Sequence, residues 1–296
     1  MSIYDLAVAP FYDYGFMRRA LVASVGLGLG AGPVGVILML RRMSLIGDAM
    51  SHAVLPGAAI GFMIAGGLSL PIMGLGALIA GLSVATLSGI VSRTTALKED
   101  ASFASFYLAS LALGVLLISL KGSNIDLLHV LFGTILAIDV QAMYLIGGIT
   151  SVTLILLAII YRPLVVECFD PRFLRSVHGK GVVYHGLFLL LVVLNLVAGF
   201  QTLGTLMAVG MMMLPAVISQ LWAKTLPYMM MVATLSAALS GLVGLLISFH
   251  LNLASGPTII LTATVFYLLS LVLSPAGIFY KYLPKQRSLQ TMENNQ

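Results

Sequence analysis

From Ala49 to Ser92 the chain carries no Asp, Glu, Lys or Arg, and the same holds from Gly181 to Ala223 and from Thr225 to Tyr280. An α-helix rises 1.5 Å per residue, so about 20 residues cross the hydrocarbon core of a bilayer. Each of these stretches can therefore hold two crossings, with breaks expected at GGLSLP (66–71), GFQTLG (199–204) and HLNLASGP (250–257). Residues 20–40, 101–120 and 140–161 supply one crossing apiece, the last closed by Arg162 and Pro163. The total is about nine, or eight to ten if an end stretch divides differently. These runs are continuously apolar rather than alternating, which argues against a β-barrel. The expected fold is an all-α, polytopic transmembrane helical bundle.

Composition agrees. Hydrophobic residues make up 60% of the chain and charged residues 8%, against about 25% charged in soluble domains. So few ionised groups cannot cover a water-facing surface. The net charge of +5 is no nucleic-acid footprint, because the basic residues sit in short groups between apolar runs, where they orient helices. If residues 41–43, 93–100, 162–180, 224 and 281–287 face the cytoplasm, most Lys and Arg share one side. An odd count then puts the N-terminus outside and the C-terminus inside, with Arg18, Arg19 and Lys121 against the trend. The N-terminus does not read as a cleaved signal peptide, and the single cysteine, Cys168, excludes a disulfide framework. The expected division is an N-terminal segment (1–17), a transmembrane domain (18–280) with a cytoplasmic segment at 162–181, and a polar tail (281–296). Residues 121–139 are too short and polar for an ordinary crossing. Their apolar part, Leu127–Ile138, fits a re-entrant or interfacial helix, or a plain external one.

The polar residues inside this apolar chain need an explanation. In SLIGDAMSHAVLPG (44–57), Asp48 and His52 are four apart and share a helix face. They offer one hard oxygen and one borderline nitrogen, a partial site for a divalent metal such as Zn²⁺ or Mn²⁺. The bland alternative is that Asp48 caps the helix and His52 bonds locally. The MMM run (211–213) reads as an apolar stripe or, less readily, as thioether ligands. Asn195, Gln201, Gln220 and His250 read as structural or interfacial groups, and Asp126 with His129 as a surface pair. In RPLVVECFDPRFLRSVHGKG (162–181), Asp170 is a candidate N-cap with Pro171 at the first helical position. Arg172 and Arg175 follow on one face. Such a helix either lies in lipid headgroups or docks another protein.

Missing motifs narrow the class. There is no GxxxxGK[ST] phosphate loop, no HExxH, no GxSxG and no TVGYG-like filter. No span carries the repeated charges of a proton relay or voltage sensor. The chain reads as a transport subunit without its own ATPase site, not an enzyme, and as a pore-forming protein powered by a separate one.

Several segments occur in an ordered series: FMRRAL (16–21), the Gly-rich first span, LRRMSLIGDAMSHAVLPG (40–57), LALGVLLISL (111–120), LFGTIL (131–136), YRPL (161–164), FDP (169–171), MLPA (213–216) and SGP (255–257). Over about 16–280 the chain resembles the permease subunit of bacterial ABC importers for zinc, manganese or chelated iron. DASFASFYLASLALG and NIDLLHVLFG look most like zinc-type members. The resemblance implies a homodimer in the bacterial cytoplasmic (inner) membrane, with two ATP-binding cassette subunits below and an extracytoplasmic metal-binding protein above. Membrane lipid is its surroundings and nucleic acid no partner. No cofactor is expected on this chain: Zn²⁺ (or Mn²⁺) is the cargo, and ATP is used by the partner. Asp48 and His52 would line the route. Phe169, Asp170, Pro171, Arg172 and Arg175 would couple to the ATPase, although RFLRSVHGKG departs from the usual continuation of that segment. Gly26–Gly35 and the later glycines are expected to permit close packing in a dimer of such protomers. A manganese or iron importer of the same architecture and, further off, an ion-coupled secondary metal transporter are the alternatives.

Overall fold

The computed structural model describes residues 4, 8–67, 69–97, 99–120, 138–169 and 181–275. The helices among them are α1 (Ala9–Asp13), α2 (Gly15–Leu40), α3 (Ser44–Ala53), α4 (Leu55–Ala65), α5 (Leu70–Thr94), α6 (Glu99–Leu120), α7 (Val140–Phe169), α8 (Gly181–Leu203), α9 (Thr205–Trp222), α10 (Leu226–Leu251) and α11 (Ser255–Leu273). Among the described residues nine segments are long and apolar enough to cross a membrane, with α3 and α4 together making one of them. The fold is the expected all-α polytopic bundle.

The three anticipated breaks fall where the backbone turns left-handed. Gly66 (φ 68°) ends α4, and Asn252 (φ 52°) ends α10. Gly204 precedes α9 at φ 91°, ψ 159°, a region that a Cβ makes costly. A fourth reversal joins α2 to α3. There the Arg42 N–H donates to the Met39 carbonyl (3.0 Å) and the Met43 N–H to the Leu38 carbonyl (2.9 Å). This is the paired bonding of a Schellman turn, whose left-handed position is usually glycine. Here Arg42 occupies it at φ 58°.

Two boundaries differ from expectation. α7 does not stop at Arg162–Pro163 but runs to Phe169 with Pro163 inside it. Beyond the proline, Leu164 and Glu167 are buried against neighbouring helices, and that packing outweighs the missing N–H bond. The span assigned to the start of 49–92 begins at Ser44 and breaks at Val54, with Pro56 in the first turn of α4.

Glycine lets the backbones close up. α2 is the most enclosed span, with 72% of its apolar window buried against 17% for α6, and it packs on α7, α8, α9 and α10. A Cβ on Gly28 would meet Ala237 of α10, and one on Gly35 would overlap the Met212 carbonyl of α9. The glycine row thus packs helices within one chain, as small residues do where lipid removes the hydrophobic drive between helices.

Side-chain bonds tie the helix ends together. Arg19 Nε donates to the Ile138 carbonyl (3.0 Å), and Arg18 Nη1 to the Tyr12 carbonyl (3.3 Å). These two arginines, both against the charge trend, are held by backbone oxygens. Gln201 Nε2 donates to the Leu70 carbonyl (3.0 Å), and Trp222 Nε1 to Ser270 Oγ (2.9 Å).

Candidate functional site

The turn at Arg42 restarts the helix at Ser44, so Asp48 falls in its second turn. The N-cap position is Met43, with no side-chain bond. Capping by Asp48 is therefore overturned, and its carboxylate is left for other work. Leu45, Asp48 and His52 form the open stripe of α3, while Ile46, Met50 and Ala53 face the core. The Asp48 side chain is 66% exposed and His52 30%.

His52 Nε2 lies 3.9 Å from Asp48 Oδ1, too far for a hydrogen bond. Two donors holding one divalent ion at about 2.1 Å would sit roughly 3–3.5 Å apart, so a small side-chain movement brings both to a shared cation. His52 Nδ1 is buried without a hydrogen-bond partner, and its ring lies 6.3 Å from that of Tyr107 on α6. Ser110 Oγ on α6 donates to the Ala53 carbonyl (2.9 Å), fixing α3 against α6. Ser51 Oγ donates to the Asp48 carbonyl (2.7 Å). On the other side Gly47 faces the methyl ends of Met212 and Met213. Met211 and Met212 are fully buried, so the MMM run packs as an apolar stripe.

Among the described residues no three His, Cys, Asp or Glu side chains converge to hold a metal ion. Asp48 and His52 offer one oxygen and one nitrogen donor, short of any complete shell. Of the coupling candidates, Phe169 closes α7, whereas Asp170, Pro171, Arg172 and Arg175 lie outside the described residues. So do Asp126, His129 and all of 121–139 except Ile138 and Asp139. Asn195 is buried, its Nδ2 donating to Thr153 Oγ1 (2.8 Å) and the Leu191 carbonyl (2.9 Å). Gln220 is half-buried near the end of α9. The ring of His250 meets that of Phe249 edge-on at 5.4 Å.

Sequence reasoning missed a charged cluster, Arg41, Glu167 and His185, built by the ends of α2 and α7 and the start of α8. His185, an ionisable group five residues into an apolar run, was the available signal.

Among the described residues, nine candidate spans in one helical bundle define a polytopic membrane protein. Residues 13–274 match the model of the ABC 3 transport family. The chain is 37% identical over 263 residues to the manganese import system permease protein ScaB of Streptococcus parasanguinis, covering 89% of this chain and 92% of that one. It is 31% identical to the chelated iron transport system membrane protein YfeD of Yersinia pestis, over 91% of this chain and 89% of that one. Its fold is similar to that of PsaBC from Streptococcus pneumoniae, solved in complex with Fab, with a TM-score of 0.83, 32% identity, and 95% and 99% of the two chains covered. The chain belongs to the ABC 3 transport family. It is the multi-pass, inner-membrane permease subunit of an ABC importer.

The likeness to zinc-type members is corrected: ScaB and further relatives at 34–37% identity, each matching about nine-tenths of this chain, carry manganese in their names. DASFASFYLASLALG lies on α6, the span with the smallest buried share. NIDLLHVLFG lies outside the described residues.

Proposed function

We propose that this chain is the permease of a manganese importer. Two copies enclose the route, two ATP-binding cassette subunits act from the cytoplasmic side, and an extracytoplasmic binding protein delivers the ion. The observation that carries the reading is the 37% identity, over most of both chains, to a manganese import permease. The similarity to a chelated-iron membrane protein supports iron as the second reading.

The chemistry at α3 fits this cargo. Carboxylate, carbonyl and water oxygens suit manganese, and imidazole adds a borderline donor. Asp48 and His52 give one of each on an open stripe, so a second copy across a two-fold axis would make four ligands, with water filling the remainder. Two weak half-sites suit transit, because an importer must release what it binds. Phe169, Asp170, Pro171, Arg172 and Arg175 are assigned to docking the ATPase, with residues 162–181 on the cytoplasmic side. Residues 18–280 form the transmembrane domain, flanked by the 1–17 segment and the 281–296 tail.

The test is uptake into proteoliposomes holding the permease, its ATPase and its binding protein. Manganese should enter only with hydrolysable ATP and should be favoured over iron. Entry without ATPase or nucleotide would reject the ABC mechanism, and preferential iron entry would move the assignment to the second reading.

A further inference from the structure

Arg41, Glu167 and His185 have no part in the proposed ion route, yet they form a charged cluster with buried side chains. Arg41 follows the last residue of α2, Glu167 lies in the last turn of α7, and His185 lies in the second turn of α8. Arg41 Nη2 is 2.8 Å from Glu167 Oε1 and 2.7 Å from His185 Nδ1. His185 Nδ1 is 3.8 Å from Glu167 Oε1, and the three side chains are only 9–10% exposed. The guanidinium also lies over the Phe188 ring, 5.1 Å from its centre.

The pairing is incomplete. Arg41 Nη1 and Glu167 Oε2 are buried without hydrogen-bond partners, so the two forks do not meet bidentately. A buried ion pair rarely stabilises more than apolar packing of the same volume, and a half-satisfied one does worse. Its best-attested use is to set a register or switch between arrangements.

Its place in the chain gives that use a meaning. Glu167 and His185 flank residues 170–180, which join α7 to α8, and both hold the end of α2 through Arg41. The next residue, Arg42, is the left-handed turn that launches α3 with Asp48 and His52.

We propose that Arg41, Glu167 and His185 are positioning residues that carry the ATPase's movement from α7 and α8 into α3, and so set the Asp48–His52 pair. This rests on the transport reading above. The ion pair is a mechanical joint, and its unused donor and acceptor serve a second register.

The test uses the full complex in lipid vesicles and measures manganese imported per ATP hydrolysed. Two variants are compared with wild type: Glu167→Gln, and the double variant Arg41→Met with Glu167→Met. The double variant keeps the volume without buried charge, so it should fold even if Glu167→Gln does not accumulate. Expected is ATP hydrolysis within about twofold of wild type, with ions moved per ATP down at least tenfold. Wild-type stoichiometry in the double variant overturns the joint while leaving the transport reading intact. ATP-independent uptake by the wild-type complex overturns both.

Discussion

Gly57 on α4 and Gly76 on α5 meet backbone to backbone, so that a Cβ on either would overlap the other's carbonyl oxygen. Gly61 approaches the backbone of Ile72 and Met73 in the same way. This contact is internal to the protomer, and it can be tested without knowing the dimer. Gly57→Leu should lower stability by at least the 1–3 kcal/mol typical of overpacking. Gly148→Ala, inside α7 with open space around it, should be neutral or stabilising by up to about 1 kcal/mol. The monodisperse fraction left after heating purified protein in detergent measures both. Equal behaviour of the two variants would contradict the packing.

Arg42 occupies a backbone conformation that L-residues avoid at a cost of about 1–2 kcal/mol. Arg42→Gly should therefore be neutral to stabilising by about 1 kcal/mol, and Arg42→Val should destabilise, since β-branched residues tolerate positive φ least. The same thermal assay ranks the three proteins. A Val variant as stable as the Gly variant would mean that the turn is not left-handed.

The path assignment predicts loss of function without loss of fold. Because Asp48 caps nothing, Asp48→Asn should accumulate at wild-type level. His52→Ala should do so too, with its Nδ1 making no hydrogen bond to lose. Both should reduce manganese uptake at least tenfold at matched abundance, or blur its discrimination from iron. Unchanged uptake and selectivity in both variants would remove the pair from the route.

Phe169 ends α7 beside the segment assigned to the ATPase. Truncating an anchor at a protein interface typically costs 2 kcal/mol or more, which is roughly a thirtyfold loss of affinity. Phe169→Ala should thus insert normally but co-purify with little ATPase. Full co-purification with normal metal-stimulated hydrolysis would instead place this residue among lipid headgroups.

The span count and three of the helix breaks were legible because they depend on local chemistry: twenty apolar residues, and glycine or asparagine where φ is positive. The turn at Arg42 was not legible, since an arginine there carries no sequence mark of a left-handed backbone. That miss propagated, because a helix starting at Ser44 cannot be capped by Asp48. Pro163 misled in the opposite sense. Its local rule says stop, while the burial of Leu164 and Glu167 says continue. In the Arg41–Glu167–His185 cluster, Arg41 meets partners more than 120 positions away; the sequence marks His185 as an ionisable group in an apolar run but does not say what it meets. The metal misassignment came from a likeness of wording in two segments, which carries no ligand chemistry that separates zinc from manganese.

The enclosure of α2 has a consequence for how the protein is made. Its Gly28 leaves the ribosome long before Ala237, the residue that packs on it. At about 5–20 residues per second, roughly ten to forty seconds of translation separate the two. During that interval the glycine face of α2 must rest against lipid or an insertion factor. Glycine suits the wait, since it exposes no polar side chain while its final neighbours are still being synthesised.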